Sequence, residues 1–488
     1  MKYLKKESFF KSLKDYPFQR YSIFVSTDKI KKNMHTHTSC YIYFCLLHLI
    51  STGLISCDSG DHTAASHQNL LQPYTENPYY WQMDGEPVLL IGASDYHNIF
   101  QRPDLVVHLD LLQSVGGNYV RNTMASREIL PDHRDLWPFR IVEDTQDSLI
   151  FIYDLDQWND EYWQHFEAML EETSKRNMIV EVTIWERHDF YRTRDQAGWA
   201  RQPFNPDNNI NYESDESGLP VGEYPEPGED IYNPASHPFF RSVPSMENNT
   251  LLLPYQQAFV DKILTYTFNY DHVIYNINNE TQESNLWGEY WGKYIQQMAD
   301  ERGITIYMTD MQDAHDVTDE SVARMMNSEL FTFVDMSQNN FQKSDLHWER
   351  IQYIRDYIRN HPKPVTNIKV YGTDNDNLDP EFWGSAQDGK ERFWRNIIGS
   401  ASSARFHRPP WGIGLNEEAQ SHVHSAVMFA DSMDIFSAAP RMDLLANREP
   451  GSAWLLANPG MQYAVYFGDG GSVDLLVGDN FEGNIRGP

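Results

Sequence analysis

The chain has 488 residues, 41% hydrophobic and 22% charged, a globular composition long enough for one barrel-sized domain plus something smaller. Its formal charge of −31 argues against a nucleic-acid partner, because phosphate backbones are bound by basic faces that release counterions. The three cysteines, Cys40, Cys45 and Cys57, all lie near the N-terminus, so the rest of the chain has no disulfide framework, thiol nucleophile or cysteine-based zinc site.

Residues 1–57 hold nine Lys/Arg against three Asp/Glu, leaving 30 basic and 67 acidic residues beyond them. Lys29, Lys31 and Lys32 precede an apolar run, CYIYFCLLHLISTGLISC, that closes on Leu54-Ile55-Ser56-Cys57. A basic stretch, an apolar stretch too short and punctuated to span a bilayer, and a small residue before a cysteine resemble a bacterial lipoprotein signal. Cys57 would be the lipidated residue, although about thirty residues precede the usual basic region. The expectation is an extracytoplasmic chain, anchored through that lipid alone to a bacterial membrane, the outer one foremost, or secreted. Residues 58–72 read as a linker. The HTHT stretch at 35–38 falls inside the leader and carries no metal motif; no metal or other cofactor is expected. The sequence does not give the oligomeric state.

From Pro73 onward apolar runs alternate with helical patterns. PVLLIG (87–92), NYVRN (118–122), MIVEVTIW (178–185), HVIYNI (272–277), ITIYMT (304–309), FTFVDM (331–336), NIKVYG (367–372) and SARFH (403–407) predict eight strands. Between the second and third, helical spacing puts Tyr162, Trp163, Phe166, Met169, Leu170 and Thr173 on one face, and Trp287, Trp291, Tyr294, Ile295 and Met298 repeat the pattern after the fourth. Eight alternations with continuous apolar strands predict an α/β fold, a (β/α)8 TIM barrel over 73–436. A doubly wound open sheet is disfavoured, because LLIGASDYHNIF carries one glycine where a dinucleotide fingerprint needs three.

Segment 186–252, between the third strand and its helix, is a long insertion rich in Pro, Asn, Gly and Glu. It is expected to cover the active face, with Trp199, Phe204, Tyr212, Tyr224 and Phe239 available to stack on sugars or to anchor the loop. Beyond residue 436, SAWLLAN, QYAVYF and SVDLLV with Gly-rich turns predict the start of a β-sandwich-like domain, 437–488. Three strands cannot close a sandwich, so either this domain is truncated, the favoured reading, or its strands complete a small accessory layer against the barrel.

In a barrel the C-terminal strand ends and the loops after them form the active face. Asp95 and His97 follow the first strand, and Arg121 ends the second. Trp185, Glu186, Arg187 and His188 end the third, Asn278, Asn279 and Glu280 the fourth. Asp310 and Asp313 follow the fifth, Asp335 and Asn339 the sixth, Lys369, Tyr371 and Asp374 the seventh, and Arg405, His407 and Trp411 the eighth. The amides around Glu280 suit a carboxylate whose protonation matters.

The run YNINNE at the fourth strand end resembles the Asn-Glu pair of the retaining (β/α)8 glycoside hydrolases. More narrowly, NPYYWQMDGEPVLLIGASDYHNIFQ, GGNYVRNTMASRE, PFNPDNNINY, FVDMSQNN, ERFWRNIIGSASSARFHRPP and MQYAVYFGDGGSVDLLV resemble a group of bacterial glycoside hydrolases whose barrel precedes a β-domain described as collagen-binding. The resemblance covers residues 73–488. It implies that Glu280 is the acid/base and Asn279 the ligand of the sugar 2-hydroxyl, with a carbohydrate as the partner. The clan also has a glutamate at the seventh strand end; here KPVTNIKVYGTD puts Lys369 near that position, and the first acid downstream is Asp374.

Glycoside hydrolysis needs a protonated and an ionised carboxyl across the scissile bond. As the acid, Glu280 is expected to have a raised pKa. Its second carboxylate is ranked Asp374, then Asp335, then Glu186, each of which could instead cap a helix or pair with an arginine. Substrate contacts are expected from Asn279, Asp95, His97, Arg121, Trp185, Asn339, Tyr371, His407 and Trp411. Two other readings stay open: a non-catalytic glycan-binding lipoprotein on the same fold, and a polysaccharide lyase using Tyr371 or His407 as base with Arg405 or Lys369 neutralising a uronate.

Overall fold

The computed structural model describes residues 22–26, 71–126, 129–130, 133–144, 150–191, 198–224, 237–477 and 484–486. Cys57 and linker residues 58–70 lie outside the described residues. Eight strand–helix pairs follow in chain order: β1 (Leu90–Ala93) and α1 (Leu105–Ser114), β2 (Tyr119–Thr123) and α2 (Asp160–Ser174), β3 (Ile179–Glu186) and α3 (Leu253–Thr267), β4 (Val273–Asn279) and α4 (Asn285–Asp300). Then come β5 (Met308–Thr309) and α5 (Glu320–Asn327), β6 (Val334–Asp335) and α6 (Ser344–Tyr357), β7 (Val365–Thr366) and α7 (Ala386–Ile398), β8 (Ser403–Phe406) and α8 (Glu417–Ser432).

All barrel pairings are parallel. β2, β3, β4 and β5 form one sheet, β6 pairs with β7, and β8 pairs with β1. Individual bonds tie the remaining seams: Asn118 N donates to Ile91 O, Thr332 N to Met308 O, and Arg405 N to Asn367 O. The eight strands therefore neighbour one another in barrel order, as the alternation predicts, although the ladder is not continuous round the ring. The late strands are shorter than predicted, and β7 lies upstream of 367–372. Residues 367–370 keep backbone bonds to β8, with Val370 N donating to Arg405 O and His407 N to Val370 O, while side chains take the amides between, Lys369 N donating to Asn367 Oδ1 and Ile368 N to Ser337 Oγ.

The N-terminal end of the barrel is plugged. Leu71–Pro73, Trp81–Met83 and Glu86–Val88 form an antiparallel sheet, and Trp81 is buried among Leu90, Tyr119, Ile179, Ile274, Phe333 and Ile368. Two residues along β2, β3, β4 and β8 the inward layer turns polar, with Arg121, Glu181, Asn276 and Arg405 all buried. Gly92 makes room for this layer: a Cβ there would sit 2.0 Å from Tyr119 O and 3.3 Å from Arg405 Cγ. Apolar base and polar interior direct the chemistry to the opposite, C-terminal mouth.

Two features depart from the sequence reading. A hairpin, Phe139–Asp144 with Phe151–Trp158, occupies the connection before α2 and was not predicted, because its outward residues hide the strand alternation. The insertion's rings are not free: Trp199, Phe204, Tyr212 and Phe239 are 0–4% exposed within the main core, and only Tyr224 is partly open.

The strands after residue 436 pack on the barrel itself. Ala453–Asn458 and Gln462–Phe467 pair antiparallel, and Trp454, Leu456, Ala464 and Tyr466 join the core shared with α7 and α8. Trp454 lies between Arg395 and Arg448, 4.9 and 5.7 Å from the ring centroid. Ser22–Ser26, inside the stretch read as leader, pairs with Gln462–Phe467. Truncating fully buried Trp454 to alanine is expected to cost about 3–5 kcal/mol, read as a lower midpoint in urea with one transition; a separate early transition would mean that the strands form an independent unit.

Candidate active site

β4 ends on three amides and then Glu280. This residue adopts φ +54°, a left-handed conformation that side chains other than glycine rarely take and that clusters at functional sites. Arg187 Nη1 holds the turn by donating to Glu280 O at 2.8 Å. The carboxylate then meets three partners: Lys369 Nζ at 2.5 Å and Tyr371 OH at 3.1 Å on Oε1, and His188 Nε2 at 3.0 Å on Oε2.

These partners fix the protonation of Glu280. Burial alone pushes the carboxyl up, but the Lys369 ammonium and the His188 contact outweigh it and hold the group well below the usual range. The surroundings run against the expected raised acid: the buried Lys369 cation and His188 favour the ionised form of Glu280. The side chain of Lys369 is 2% exposed and that of Glu280 13%. Burial lowers the Lys369 ammonium, which the Glu280 charge opposes. Tyr371 is pushed well above its ordinary value by burial and by Glu280, so it donates its proton to the carboxylate, and a lyase base at this position is ruled against.

A second tier supports the first. Asn279 Nδ2 donates to both oxygens of Glu186, at 2.7 and 2.9 Å, and its Oδ1 accepts from Arg121 Nη2 at 2.8 Å. Glu186 also meets His97 Nε2 at 2.6 Å and accepts from His188 N at 3.2 Å. Ringed by donors, Glu186 orients Asn279 and His97. His407 packs edge-on to His97 and Tyr371; burial and its cationic neighbours hold it neutral, which leaves it enclosed beneath the mouth.

Asp313, in the loop after β5, is the other carboxyl of note. Its Oδ2 accepts from Arg187 Nη1 at 2.6 Å and Gln282 Nε2 at 3.0 Å. Burial first, and the nearby Glu280 charge second, raise its pKa against the pull of Arg187. Two neighbouring carboxyls are thus pushed in opposite directions, the usual signature of an acid and a base at one site.

The remaining sequence candidates scatter. Asp374 Oδ1 accepts from Ala386 N at 2.9 Å, so it caps α7. Asp335 is buried in the barrel interior, bonded to Ser337 and pushed up to about 7 by burial and then Glu181. Trp185 turns outward into an aromatic core with Phe239, Phe259, Trp287 and Trp291. Asn339 is buried and donates to His347 O at 2.9 Å. Asp95 accepts from Leu415 N at 2.8 Å and ties down the loop after β8, where Trp411 lies partly open under Arg408. In the sequence His188 and Asp313 are strand-end residues without a role and Lys369 has one only in the lyase reading; their places just after β3, β5 and β7 were visible, but their convergence around Glu280 was not. Among the described residues no group of three or more His, Cys, Asp or Glu could hold a metal ion, and no helix is long and apolar enough to cross a membrane.

No family model and no curated protein matches the chain. Solved structures do. A candidate glycoside hydrolase from Bacteroides vulgatus aligns with TM-score 0.51 at 12% identity, over 80% of this chain and 66% of that one. A glycoside hydrolase family 5 protein from the same organism gives 0.48 at 11%, over 80% and 77%. An endo-1,4-beta-mannanase from Rhizomucor miehei gives 0.46 at 12%, over 75% and 100%. The likeness is one of fold. This chain shares the (β/α)8 barrel fold with the first of these, and it spans about two thirds of the length of that structure.

Proposed function

We propose that the chain is a glycoside hydrolase acting on an extracytoplasmic polysaccharide or its oligosaccharide fragments, with Glu280 as the ionised carboxylate and Asp313 as the proton donor. The observation that carries this reading is that Arg187 Nη1 bridges the two residues, 2.8 Å from Glu280 O and 2.6 Å from Asp313 Oδ2, while their surroundings favour opposite charge states, Lys369 and His188 lowering the Glu280 pKa and burial with Glu280 raising that of Asp313. Glycosidic cleavage uses that division: one carboxylate acts as base or nucleophile at the anomeric carbon while a carboxylic acid protonates the leaving oxygen. Asn279, oriented by Glu186 and Arg121, binds a sugar hydroxyl in this scheme, the 2-hydroxyl by the Asn-Glu resemblance.

A second reading, glycan binding without turnover, is favoured by one observation: Lys369 stands 2.5 Å from Glu280 Oε1, in place of the clan's second glutamate. Release of new reducing ends from a polysaccharide panel separates the two, since a binder retains glycan but releases none. With a cleaved substrate in hand, Asp313→Asn is expected to lower kcat by about 10²–10⁴-fold and to remove the falling, high-pH limb of the kcat/KM profile. That sign follows from the raised pKa, which keeps Asp313 protonated to higher pH. Retention of the limb in Asp313→Asn would move the proton donor elsewhere.

Anchoring through Cys57 and the strands after residue 436 as the start of an accessory β-domain belong to the same proposal. Mass spectrometry of the membrane fraction from a Gram-negative host is expected to find a lipidated Cys57 at the N-terminus. Cleavage there removes Ser22–Ser26, so a mature chain that keeps this strand would contradict the anchor.

A further inference from the structure

With the insertion's rings buried, a sugar-stacking surface must come from another loop. Phe382, in the short helix Pro380–Trp383 after β7, is 45% exposed. It meets Phe341 at 5.0 Å and Trp383 at 4.9 Å between ring centroids. Phe341 stacks on exposed His315 at 3.9 Å and 24°. Trp383 and Phe341 reach Tyr371 at 5.6 and 6.1 Å, and the Tyr371 hydroxyl bonds Glu280. A continuous run of rings therefore leads from solvent to the ionised carboxylate, on loops that all open at the same mouth of the barrel.

Phe382 is not an isolated exposed ring: partly buried Phe341 and Trp383 and exposed His315 extend it into a contiguous face, the kind of patch that marks a binding surface. The rim adds the charge. Asp374, Asp376, Asp379 and Glu381 are all exposed beside Phe382, while Lys343 is drawn to Pro380 O at 2.8 Å and to Asp388 at 3.7 Å. Four carboxylates in this loop against the single Lys343 leave the rim net negative, which disfavours a uronate or sulfate relative to a neutral ring.

We propose that Phe382, Phe341, Trp383 and His315 form a stacking subsite for a neutral pyranose of a glycan chain whose scissile bond lies at Glu280. The inference rests on the hydrolase reading for its position relative to the bond. The apolar C–H face of the sugar lies on the rings, and its hydroxyls turn to the acidic rim, which accepts their hydrogen bonds.

The test is calorimetric titration of the full chain carrying Glu280→Gln with cellohexaose, β-1,4-mannohexaose, xylohexaose and hexagalacturonate. At least one neutral hexasaccharide is expected to bind, and hexagalacturonate to bind at least about tenfold more weakly. Adding Phe382→Ala is expected to weaken the neutral ligand about tenfold, with the melting temperature unchanged and Phe382→Trp retaining affinity. Unchanged affinity in Phe382→Ala, hexagalacturonate as the tightest ligand, or no binding by any neutral hexasaccharide would overturn the subsite. Failure of the two readings is separable. Weaker binding in Phe382→Ala with no hydrolysis by the unsubstituted chain keeps the platform and removes the hydrolase; hydrolysis of a neutral hexasaccharide with a KM untouched by Phe382→Ala does the reverse.

Discussion

Lys369→Met is expected to cost the fold about 3–5 kcal/mol, because it leaves the Glu280 carboxylate in the barrel mouth without its cation. Adding Glu280→Gln should return much of that loss, since the uncompensated charge is then gone; a double-mutant cycle in urea reads the coupling. The pH dependence has a definite sign. Glu280 is depressed in the folded chain, so its stabilising contribution is present above its ordinary value of 4.5 and is lost as pH falls through the folded value. In Lys369→Met burial is left to raise the carboxyl, so the acid-side loss contributed by Glu280 shrinks, and once the folded value passes 4.5 its sign reverses, protonation relieving the uncompensated charge as pH falls. If Lys369→Met proves as stable as the unsubstituted chain, the ion pair is a surface contact and contributes little.

Glu280→Gln is the second large effect. The amide keeps an oxygen for Lys369 and Tyr371 but cannot act as base or nucleophile, so hydrolysis is expected to fall by about 10³-fold or more. It also leaves the buried Lys369 ammonium without its counter-charge, so the melting temperature is expected to fall and activity is read well below it. Loss of hydrolysis in a chain that circular dichroism shows folded at the assay temperature assigns Glu280 to the reaction. Full activity in Glu280→Gln would remove it from the reaction.

Much of this was legible in the chain, for physical reasons that individual residues make plain. The barrel was readable because eight apolar runs alternate with amphipathic helices such as the one carrying Tyr162, Phe166 and Met169. Glu280 was readable because a strand that ends on amides and one acid has reached a polar mouth. Its protonation was not, because that depends on Lys369 crossing the barrel from the β7 end, an encounter between residues 89 positions apart. Asp374, ranked first as the partner, looks the same in sequence whether it faces a sugar or caps α7. Trp185 resembled a sugar platform only by its place at a strand end; its ring turns outward to the helices. Of the two roles open to the rings of segment 186–252, Trp199, Phe204, Tyr212 and Phe239 take the anchoring one, since burying them is what holds so long an insertion together. Phe382 and Trp383 carried no periodic signal, and only contact with Phe341 and Tyr371 marks them.

The central claim is that Glu280 enters the site as a carboxylate. Carbon-13 NMR of glutamate-labelled chain, with the Glu280 signal assigned by its loss in Glu280→Gln, follows that group directly through a pH titration. The account predicts a midpoint well below 4.5 that rises in Lys369→Met; a midpoint above that value in the unsubstituted chain, unmoved when Lys369 is replaced, would contradict it.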